Sequence, residues 1–447
     1  MVKVITYGTY DFLHEGHIRL LKRAKELGDY LIVGITADGF DKARGKINVQ
    51  QSLMERIEAV KKTGLANQII IEEYDGQKID DIKKYDVDIF TVGSDWIGKF
   101  DYLNEFCKVI YLDRTKGISS SEIRANKQII RIGLVGETSI LTKFKNECKY
   151  VNGVSISGIH TESKVELDDE LNQLADSNLT LDELLNISDA LYIASHPQKH
   201  YSQIKLALEK GKHILCESPI ALNPNQFETL IQLAIEKKLV LMDGIKTAYS
   251  LAFNRLILLI KSGIIGDVIS IDTTCTSLID IGPNGEYLKP HTWNTICWWG
   301  PTAILPILDI FGTKFKSLQL STKFLKDHTE FDLFTKGSFI YNNGVASFKV
   351  GQGVKSEGEM IISGTKGYIY VPAPWWKTDY FEVRYENPTN NRRYFYQLEG
   401  EGIRYEILSF IRQIDGFYSY SNISTEISRT IVSIINNIVV GNNNIIN

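Results

Sequence analysis

Two histidines spaced three residues apart carry the first chemical signal in the chain. His14 and His17 lie in the segment YGTYDFLHEGH, residues 7–17, which follows a predicted strand and opens a predicted helix. The first turn of a helix offers unpaired backbone N–H groups and the positive end of the helix dipole. Imidazoles beside those donors suit an α-phosphate that gains charge during in-line displacement. The alternative is two ordinary histidines at a helix cap.

A second polar segment, RTKGISSSEIR at residues 114–124, combines cations with hydroxyl groups. Ser119–Ser121 begin a predicted helix, and Arg114 and Lys116 precede it. A plain N-cap accounts for the serines alone. Cations directly before a helix N-terminus predict, in addition, a pocket for the β- and γ-phosphates of a triphosphate.

The elements that must position these residues alternate between strand and helix over the first 127 residues. Near-continuous apolar strands such as Val2–Tyr7, separated by amphipathic helices, predict a parallel sheet covered on both faces. The same pattern restarts at Ile132–Val135 and predicts a second Rossmann-like unit. We therefore predict an α/β fold whose third part is an α+β domain with an open mixed or antiparallel sheet. The predicted domains are residues 1–127, 128–248 and 249–447.

The third part is predicted from a run of consecutive, alternating strands beyond Phe253. Its inserted helices are expected at Phe253–Ser262, Pro306–Phe311 and Tyr405–Ile414. We expect the C-terminal GNNNIIN to be a frayed tail.

Composition excludes several classes of function. The 447 residues include 50 basic and 54 acidic side chains, giving a net charge of −4, so we expect no nucleic-acid partner. No apolar run approaches the ~18–20 residues of a membrane span, and we expect no membrane partner. The five cysteines are scattered, which argues against a disulfide framework or a structural zinc site and favours the cytoplasm. We expect no metal held by the protein itself.

Residues 1–127 resemble the glycerol-3-phosphate cytidylyltransferase family of HxGH nucleotidyltransferases. The matching segments are ITYGTYDFLHEGH, GSDWIGKFD at residues 93–101, and RTKGISSSEIR. The family transfers CMP from CTP to a polyol phosphate and releases pyrophosphate, with Mg²⁺ on the leaving group. Ser94 stands where a second acidic residue is common, which bears on the identity of the acceptor.

The resemblance implies roles for individual residues of this chain. The catalytic set would be His14, His17, Lys46 and Arg114. The nucleotide-binding set would be Thr9, Tyr10, Asp11, Gly16, Asp95, Thr115, Gly117, Ile118, Ser119, Ser120 and Ser121. The acceptor would contact Lys46, Arg56 and Trp96.

Residues 131–447 resemble the glucose–fructose oxidoreductase, inositol dehydrogenase and MocA family. The matching segments are RIGLVG (131–136), SHPQKHYSQIKLALEKGKHILCESPIAL (195–222), LMDGIKTAYSLAFNRLILLIKSGIIGDVISI (241–271) and GTKGYIYVPAPWW (364–376). Three positions depart from the family pattern. Thr138 replaces a glycine of the cofactor loop, Ser218 replaces the lysine of Glu-Lys-Pro, and WWGPT replaces an Asp-x-Gly-x-His segment.

The family implies NAD(P) as a cofactor, held here by Gly136, Thr138, His200 and Glu217. The departures predict weak or absent NAD(P) binding, and the sequence does not choose NAD from NADP. His200 has an equally good interpretation as a structural residue. Lys246 or Tyr249 could replace the missing proton donor of a reductase, although each is more often structural. The tryptophans at 293, 298, 299, 375 and 376 fit a core, a sugar pocket or a subunit contact.

Together these patterns predict a cytidylyltransferase fused to a reductase-like domain that acts in the same pathway, the synthesis of surface polysaccharide precursors. The alternative is a cytidylyltransferase with a catalytically silent module for assembly or regulation. CTP and a polyol phosphate are the expected small-molecule partners. Both families form oligomers, so the resemblance also implies a homodimer.

Overall fold

The computed structural model describes the chain apart from residues 38–48, 50, 52, 75, 114–128, 152, 163–168, 170, 172–178, 283–284, 290–291, 327, 397, 399, 417–422 and 447. The described residues divide into two compact units, residues 1–129 and 130–447. The three-domain division remains a prediction. Residues 130–447 form one unit because a single hydrophobic core continues from the second sheet into the third.

The first unit contains one parallel sheet. Its strands are β1 (Lys3–Gly8), β2 (Tyr30–Thr36), β3 (Gln68–Glu72), β4 (Ile89–Gly93) and β5 (Lys108–Leu112), in the order β3-β2-β1-β4-β5. Its helices are α1 (Glu15–Glu26), α2 (Leu53–Lys62) and α3 (Gln77–Tyr85). The order reverses between β1 and β4, and ligands of such sheets bind at the carboxyl ends of the strands beside that point.

Alternate residues of the central strand face opposite layers, which explains why β1 is apolar throughout. Val4 packs with Leu21 of α1 on one face, and Ile5 packs with Ile82 of α3 on the other. All four side chains are buried. The predicted parallel sheet covered on both faces is therefore confirmed.

The second unit begins with another parallel sheet. Its strands are β6 (Ile130–Gly136), β7 (Val154–His160), β8 (Ala190–Ala194), β9 (His213–Glu217) and β10 (Leu241–Gly244), in the order β10-β9-β8-β6-β7. Its helices are α4 (Ile140–Cys148), α5 (Leu181–Ile187), α6 (Pro197–Glu209) and α7 (Pro224–Lys237). The second Rossmann-like sheet is confirmed.

A large mixed sheet completes the second unit. Its strands are β11 (Val268–Thr276), β12 (Ser317–Leu325), β13 (His328–Ile340), β14 (Val345–Gly351), β15 (Met360–Gly364), β16 (Tyr368–Val371), β17 (Tyr380–Arg384), β18 (Arg392–Phe395) and β19 (Asn444–Ile445). They lie in the order β18-β17-β16-β15-β11-β14-β13-β12-β19. β11 runs parallel to β14 and antiparallel to β15, which makes the sheet mixed.

The helices of this part are α8 (Leu251–Lys261), α9 (Thr295–Phe311), α10 (Ile403–Ile414) and α11 (Thr425–Val439). The prediction of a short helix at Pro306–Phe311 was wrong, because α9 runs for 17 residues through Pro301 and Pro306. Among the described residues, none of the helices has both the length and the apolar character that a membrane span requires.

The prediction of a frayed C-terminal tail was wrong in part. Asn444 and Ile445 form β19, which pairs in parallel with Ser321 and Thr322 of β12. The outermost strand of the sheet offers unpaired backbone groups, and these hydrogen bonds satisfy some of them.

Candidate functional site

The candidate site of the first unit is built on the loop between β1 and α1. His14 is the N-cap of α1, and its Nδ1 atom accepts a hydrogen bond from the Gly16 backbone N–H at 3.1 Å. His17 returns the interaction, since its Nδ1 atom accepts from the His14 backbone N–H at 3.5 Å. The two histidines thus occupy the positions that hydroxyl and carboxylate side chains fill in a capping box.

These hydrogen bonds fix which ring nitrogen carries the proton. A nitrogen that accepts a backbone N–H is unprotonated, so the proton of each neutral imidazole is on Nε2. The rings of His14 and His17 stack with their centroids 3.9 Å apart. The pair therefore places two imidazole rings together at the N-terminus of α1, where the helix dipole favours an anion such as a phosphate.

The loop before α1 is held in a strained conformation. Tyr10 and Phe12 have positive φ angles of 55° and 48°, which non-glycine residues rarely adopt. The buried Tyr10 ring packs edge-on against His17, with 5.4 Å between centroids. Asp11 accepts from the Gln51 backbone N–H at 2.9 Å, and Gln51 accepts from Phe12 N–H at 2.6 Å. These contacts keep the histidine pair in place.

Arg56, which is predicted to contact the acceptor, is buried and contacts the backbone of the neighbouring loops. Its side chain is fully buried, and Nη1 donates to the backbone carbonyls of Thr9 at 2.6 Å and Thr36 at 2.9 Å. Nε donates to the Gln51 carbonyl at 3.1 Å. The guanidinium thus ties together the loops that follow β1 and β2. Arg56 therefore holds the backbone around the site, and its contact with the acceptor stays a prediction.

A small cavity of about 40 Å³ lies at the carboxyl ends of β1–β4. Thr9 and Trp96 line it, which brings two predicted site residues together. Glu72 and Lys78 also line it and form a buried ion pair, with the Lys78 ammonium 4.7 Å from the centre of the Tyr7 ring. Sequence reasoning missed this pair. Its only signal was an acidic residue at the end of β3, followed by a lysine in the first turn of α3.

The remaining predicted residues of this site divide into two groups. Asp95 is exposed in the short turn Ser94–Trp96 directly after β4, at the same edge of the sheet. The others lie outside the described residues: Lys46, Arg114, Thr115, Gly117, Ile118, Ser119, Ser120 and Ser121. In the part of the chain that is described, no group of three His, Cys, Asp or Glu residues is placed to hold a metal ion.

The second unit contains a cleft of about 550 Å³ between its Rossmann sheet and its mixed sheet. Thr138, Glu217 and Lys246 line it, together with Trp298 and Thr302 of α9. The cleft therefore brings together two of the predicted cofactor residues, Thr138 and Glu217, and both positions where the family's acid and histidine are replaced.

The loop between β6 and α4 does not fit the pyrophosphate of a dinucleotide. Gly136 has a φ of 140°, and a Cβ there would lie 2.6 Å from Ala194 backbone atoms, so the tight turn is kept. The next residue, Glu137, buries a carboxylate whose Oε1 is 3.4 Å from Lys199 Nζ. The Thr138 side chain then occupies the position of the missing glycine. The carboxylate of Glu137 and the added volume of the Thr138 side chain both oppose the binding of a pyrophosphate.

His200 and Tyr249 lie away from the cleft. His200 is completely buried, and its ring nitrogens are 2.8 Å from the backbone carbonyls of Pro219 and Ser195. Burial lowers the pKa of His200 to about 4, against the effect of the two carbonyls. Tyr249 is also buried and donates to the Asp243 carbonyl at 2.8 Å. Neither residue is among the described residues that line the cleft, which supports structural roles.

Three carboxyl groups interact electrostatically in this unit, and one of them, Glu217, lines the cleft. Glu217 accepts from the Tyr192 hydroxyl at 2.5 Å, and burial raises the pKa of Glu217. Burial and the neighbouring Glu217 raise the pKa of Glu406 well above its usual range. Burial raises the pKa of Asp243 to about 6. Carboxyl groups that hold their protons this tightly are common where a site handles protons, and they also occur in structural clusters.

Comparison with known proteins finds a matching family model in each unit. Residues 5–126 match the model of the cytidylyltransferase-like family. Residues 130–245 match the model of the oxidoreductase family with an NAD-binding Rossmann fold.

Glycerol-3-phosphate cytidylyltransferase of Bacillus spizizenii is 51% identical over 124 residues, which are 28% of this chain and 95% of that protein. The enzyme of the same name from Staphylococcus aureus is 48% identical over 128 residues, 28% of this chain and 93% of that protein. A solved 3-ketoreductase from Actinomadura kijaniata covers 71% of this chain and 98% of its own, with a TM-score of 0.60 and 15% identity, so it bears on the fold alone. The chain therefore belongs to the cytidylyltransferase-like family through its first unit, and its second unit has the fold of the NAD-binding oxidoreductase family.

Proposed function

We propose that the first unit transfers CMP from CTP to the phosphate of a glycerol-type polyol, giving a CDP-polyol and pyrophosphate. The observation that carries this proposal is the stacked His14–His17 pair at the N-terminus of α1. It lies in a unit that is 51% identical to a glycerol-3-phosphate cytidylyltransferase.

The geometry supports an in-line displacement. An oxygen of the acceptor phosphate attacks the α-phosphorus of CTP, and the bond to the β-phosphate oxygen breaks. Charge develops on the α-phosphate oxygens, where the two Nε2–H groups would donate hydrogen bonds. The acceptor phosphate is already ionised, so no general base is needed. Mg²⁺ arriving with the triphosphate would neutralise charge on the leaving pyrophosphate.

The strained loop contributes by holding the histidine pair before the substrate binds. Hydrogen bonds of Asp11, Gln51 and the buried Arg56 offset the free energy of this backbone strain and fix the backbone around Thr9. Positioning of this kind lowers the barrier because less ordering remains to be done in the transition state.

For the second unit we propose a role in the same pathway, the synthesis of surface polysaccharide precursors, acting on a compound related to the CMP acceptor. The 3-ketoreductase of Actinomadura kijaniata was solved in complex with NADP. In this chain the buried Glu137 and Thr138 oppose the binding of a dinucleotide. The alternative is a catalytically silent module, and NADPH binding separates the two.

The test is a panel of polyol and ketose phosphates incubated with CTP and Mg²⁺, with and without NADPH, while pyrophosphate release and NADPH absorbance are recorded. We expect pyrophosphate from glycerol 3-phosphate and little or no NADPH oxidation. Absence of pyrophosphate release with every acceptor would refute the transferase. Rapid NADPH oxidation that is abolished by Lys246→Ala would instead establish a working reductase with a relocated acid.

A further inference from the structure

Three lysines from distant parts of the second unit surround one carboxylate. Lys143 on α4 and Lys246 in the turn after β10 each lie 3.0 Å from a Glu401 oxygen. Lys377, in the turn Trp375–Lys377, lies 2.9 Å from it. We call Lys143, Lys246 and Lys377 the lysine trio. All four residues line the large cleft.

The charges of this cluster do not balance. Three ammonium groups facing one carboxylate leave two positive charges in excess, three minus one. Burial raises the pKa of Glu401, but the ammonium of Lys246 and hydrogen bonds from the trio lower it to about 2. Like charges held together cost free energy unless a counter-charge is present. Lys289, Asp280 and Glu217 also line the cleft, so its described lining holds four lysines and three carboxyl groups, and burial raises the pKa of the Glu217 carboxyl.

Glu401 enters the trio from an unusual stretch of backbone. It has a φ of 53° and lies between Gly400 and Gly402, whose φ angles are 56° and 91°. Three successive residues thus have left-handed backbone conformations. The Glu401 side chain between the two glycines lines the cleft and is one-third exposed. The Glu401 carboxylate therefore occupies a position among the lysines that an anionic ligand could fill instead.

The aromatic part of the cleft lining suits the carbon chain of a polyol. Neighbouring indoles of Trp293, Trp298, Trp299 and Trp376 have centroids 4.8–6.4 Å apart. Within the described residues, Trp293 Nε1 and Gln352 Oε1 have no hydrogen-bond partner, although both side chains are at least 95% buried. A donor and an acceptor left unsatisfied at a cleft wall are groups that ligand hydroxyls can satisfy.

We propose that the cleft binds the phosphate monoester of a small polyhydroxy compound, whose phosphate replaces the Glu401 carboxylate within the lysine trio while its carbon chain lies against the indoles. A phosphate monoester carries about −1.5 to −2 charges at pH 7, so it neutralises the three ammonium groups more fully than the single charge of the carboxylate does. Three ammonium groups also match its three terminal oxygens. The proposal goes beyond the transferase function and uses it only to choose the probe.

The experiment measures ligand binding by tryptophan fluorescence in full-length protein carrying Trp96→Phe. The chain has six tryptophans, so the remaining five all lie in residues 293–376 and report on the second unit. Glycerol 3-phosphate, glycerol, CDP-glycerol and ADP-ribose are titrated separately. We expect saturable binding of glycerol 3-phosphate, and binding of glycerol that is at least about 10-fold weaker, because it lacks the charge-assisted hydrogen bonds.

Variants then test whether the lysine trio, and not another part of the cleft, binds the phosphate. Lys377→Met and Lys246→Met should each weaken glycerol 3-phosphate binding about 10-fold. Glu401→Gln should tighten it about 3- to 10-fold, because the competing carboxylate is gone. Lys261→Met removes an exposed lysine paired with Asp309 outside the cleft and is the matched control, expected to bind as the parent does. Circular dichroism checks the fold of each variant, and Lys377→Met serves if Lys246→Met does not fold.

Each contrary result overturns the proposal in a defined way. If the lysine variants lose ADP-ribose but keep glycerol 3-phosphate, the trio holds a dinucleotide pyrophosphate. If CDP-glycerol binds more tightly than glycerol 3-phosphate, the ligand is a phosphodiester. If Glu401→Gln weakens binding, Glu401 belongs to the ligand site and no exchange occurs. Pyrophosphate release from CTP is measured on matched proteins that keep Trp96, because Trp96 lines the cavity of the first unit, so failure of the transferase and failure of the cleft are told apart.

Discussion

Replacing His17 tests the reasoning about the first unit most directly, because that side chain serves two purposes. Its Nδ1 atom accepts the His14 backbone N–H and completes the cap of α1, whereas its Nε2–H is the proposed donor to the α-phosphate. His17→Ala removes both functions. His17→Gln keeps the cap, since glutamine is a usual residue at this position of a capping box, but removes the imidazole.

The two variants should differ in stability and agree in activity. We expect both to lower kcat/KM for pyrophosphate release by at least about 100-fold, or about 3 kcal/mol of transition-state stabilisation. Loss of the cap should lower the free energy of unfolding of His17→Ala by about 0.5–2 kcal/mol, while His17→Gln stays near the parent. Urea denaturation and a coupled pyrophosphate assay measure the two quantities.

Arg19→Ala is the control on the same helix. Arg19 forms an exposed pair with Glu15, whose loss should cost about 0.3–0.5 kcal/mol and leave the activity unchanged. Should either His17 variant stay within about threefold of the parent rate while folded, the imidazole has no direct part in the transfer.

Three further outcomes are expected. CTP should be preferred over ATP as donor in the pyrophosphate assay, and equal rates would contradict the assignment of the donor. Arg56→Met should lower the free energy of unfolding by about 3 kcal/mol or more, because the carbonyls of Thr9 and Thr36 lose a buried donor; a loss below about 1 kcal/mol in urea would remove its positioning role. Burial raises the pKa of Asp243 to about 6, above the ~3.9 of the unfolded chain. The protonated Asp243 carboxyl therefore stabilises the folded state fully below about pH 4, and this stabilisation is lost as the pH rises through 6. Asp243→Asn should therefore gain up to about 3 kcal/mol relative to the parent between pH 4 and pH 7.5 in urea titrations, and an unchanged difference would show that Asp243 titrates normally.

Local patterns predicted the fold wherever periodicity and tertiary contacts agree. The strands predicted at Val2–Tyr7 and Ile132–Val135 are continuous apolar runs, and the observed strands Lys3–Gly8 and Ile130–Gly136 differ from them by one or two residues at each end. Helix α9 was underestimated because Pro301 and Pro306 each remove a backbone donor and normally end a helix. Burial of most of α9 outweighs that penalty, and no local pattern reveals burial of this kind.

The candidate sites were predicted only where their residues are adjacent in the chain. His14 and His17 belong to one turn, so their spacing was enough. Lys78 pairs with Glu72 through the fold of two elements, and Arg56 is buried by the loops that it joins. Lys143 and Glu401 are 258 residues apart, and only the packed second unit brings them within hydrogen-bonding distance.

The two edges of the mixed sheet have consequences for the behaviour of the protein at high concentration. One edge strand, β18, carries the exposed Arg392 and Arg393, and the other edge ends in the two-residue β19. Cationic side chains and very short strands hinder the edge-to-edge pairing through which sheets of separate molecules fuse into aggregates. The sheet should therefore resist fibril formation during expression and storage, and replacing Arg392 and Arg393 with valines should increase thioflavin T binding.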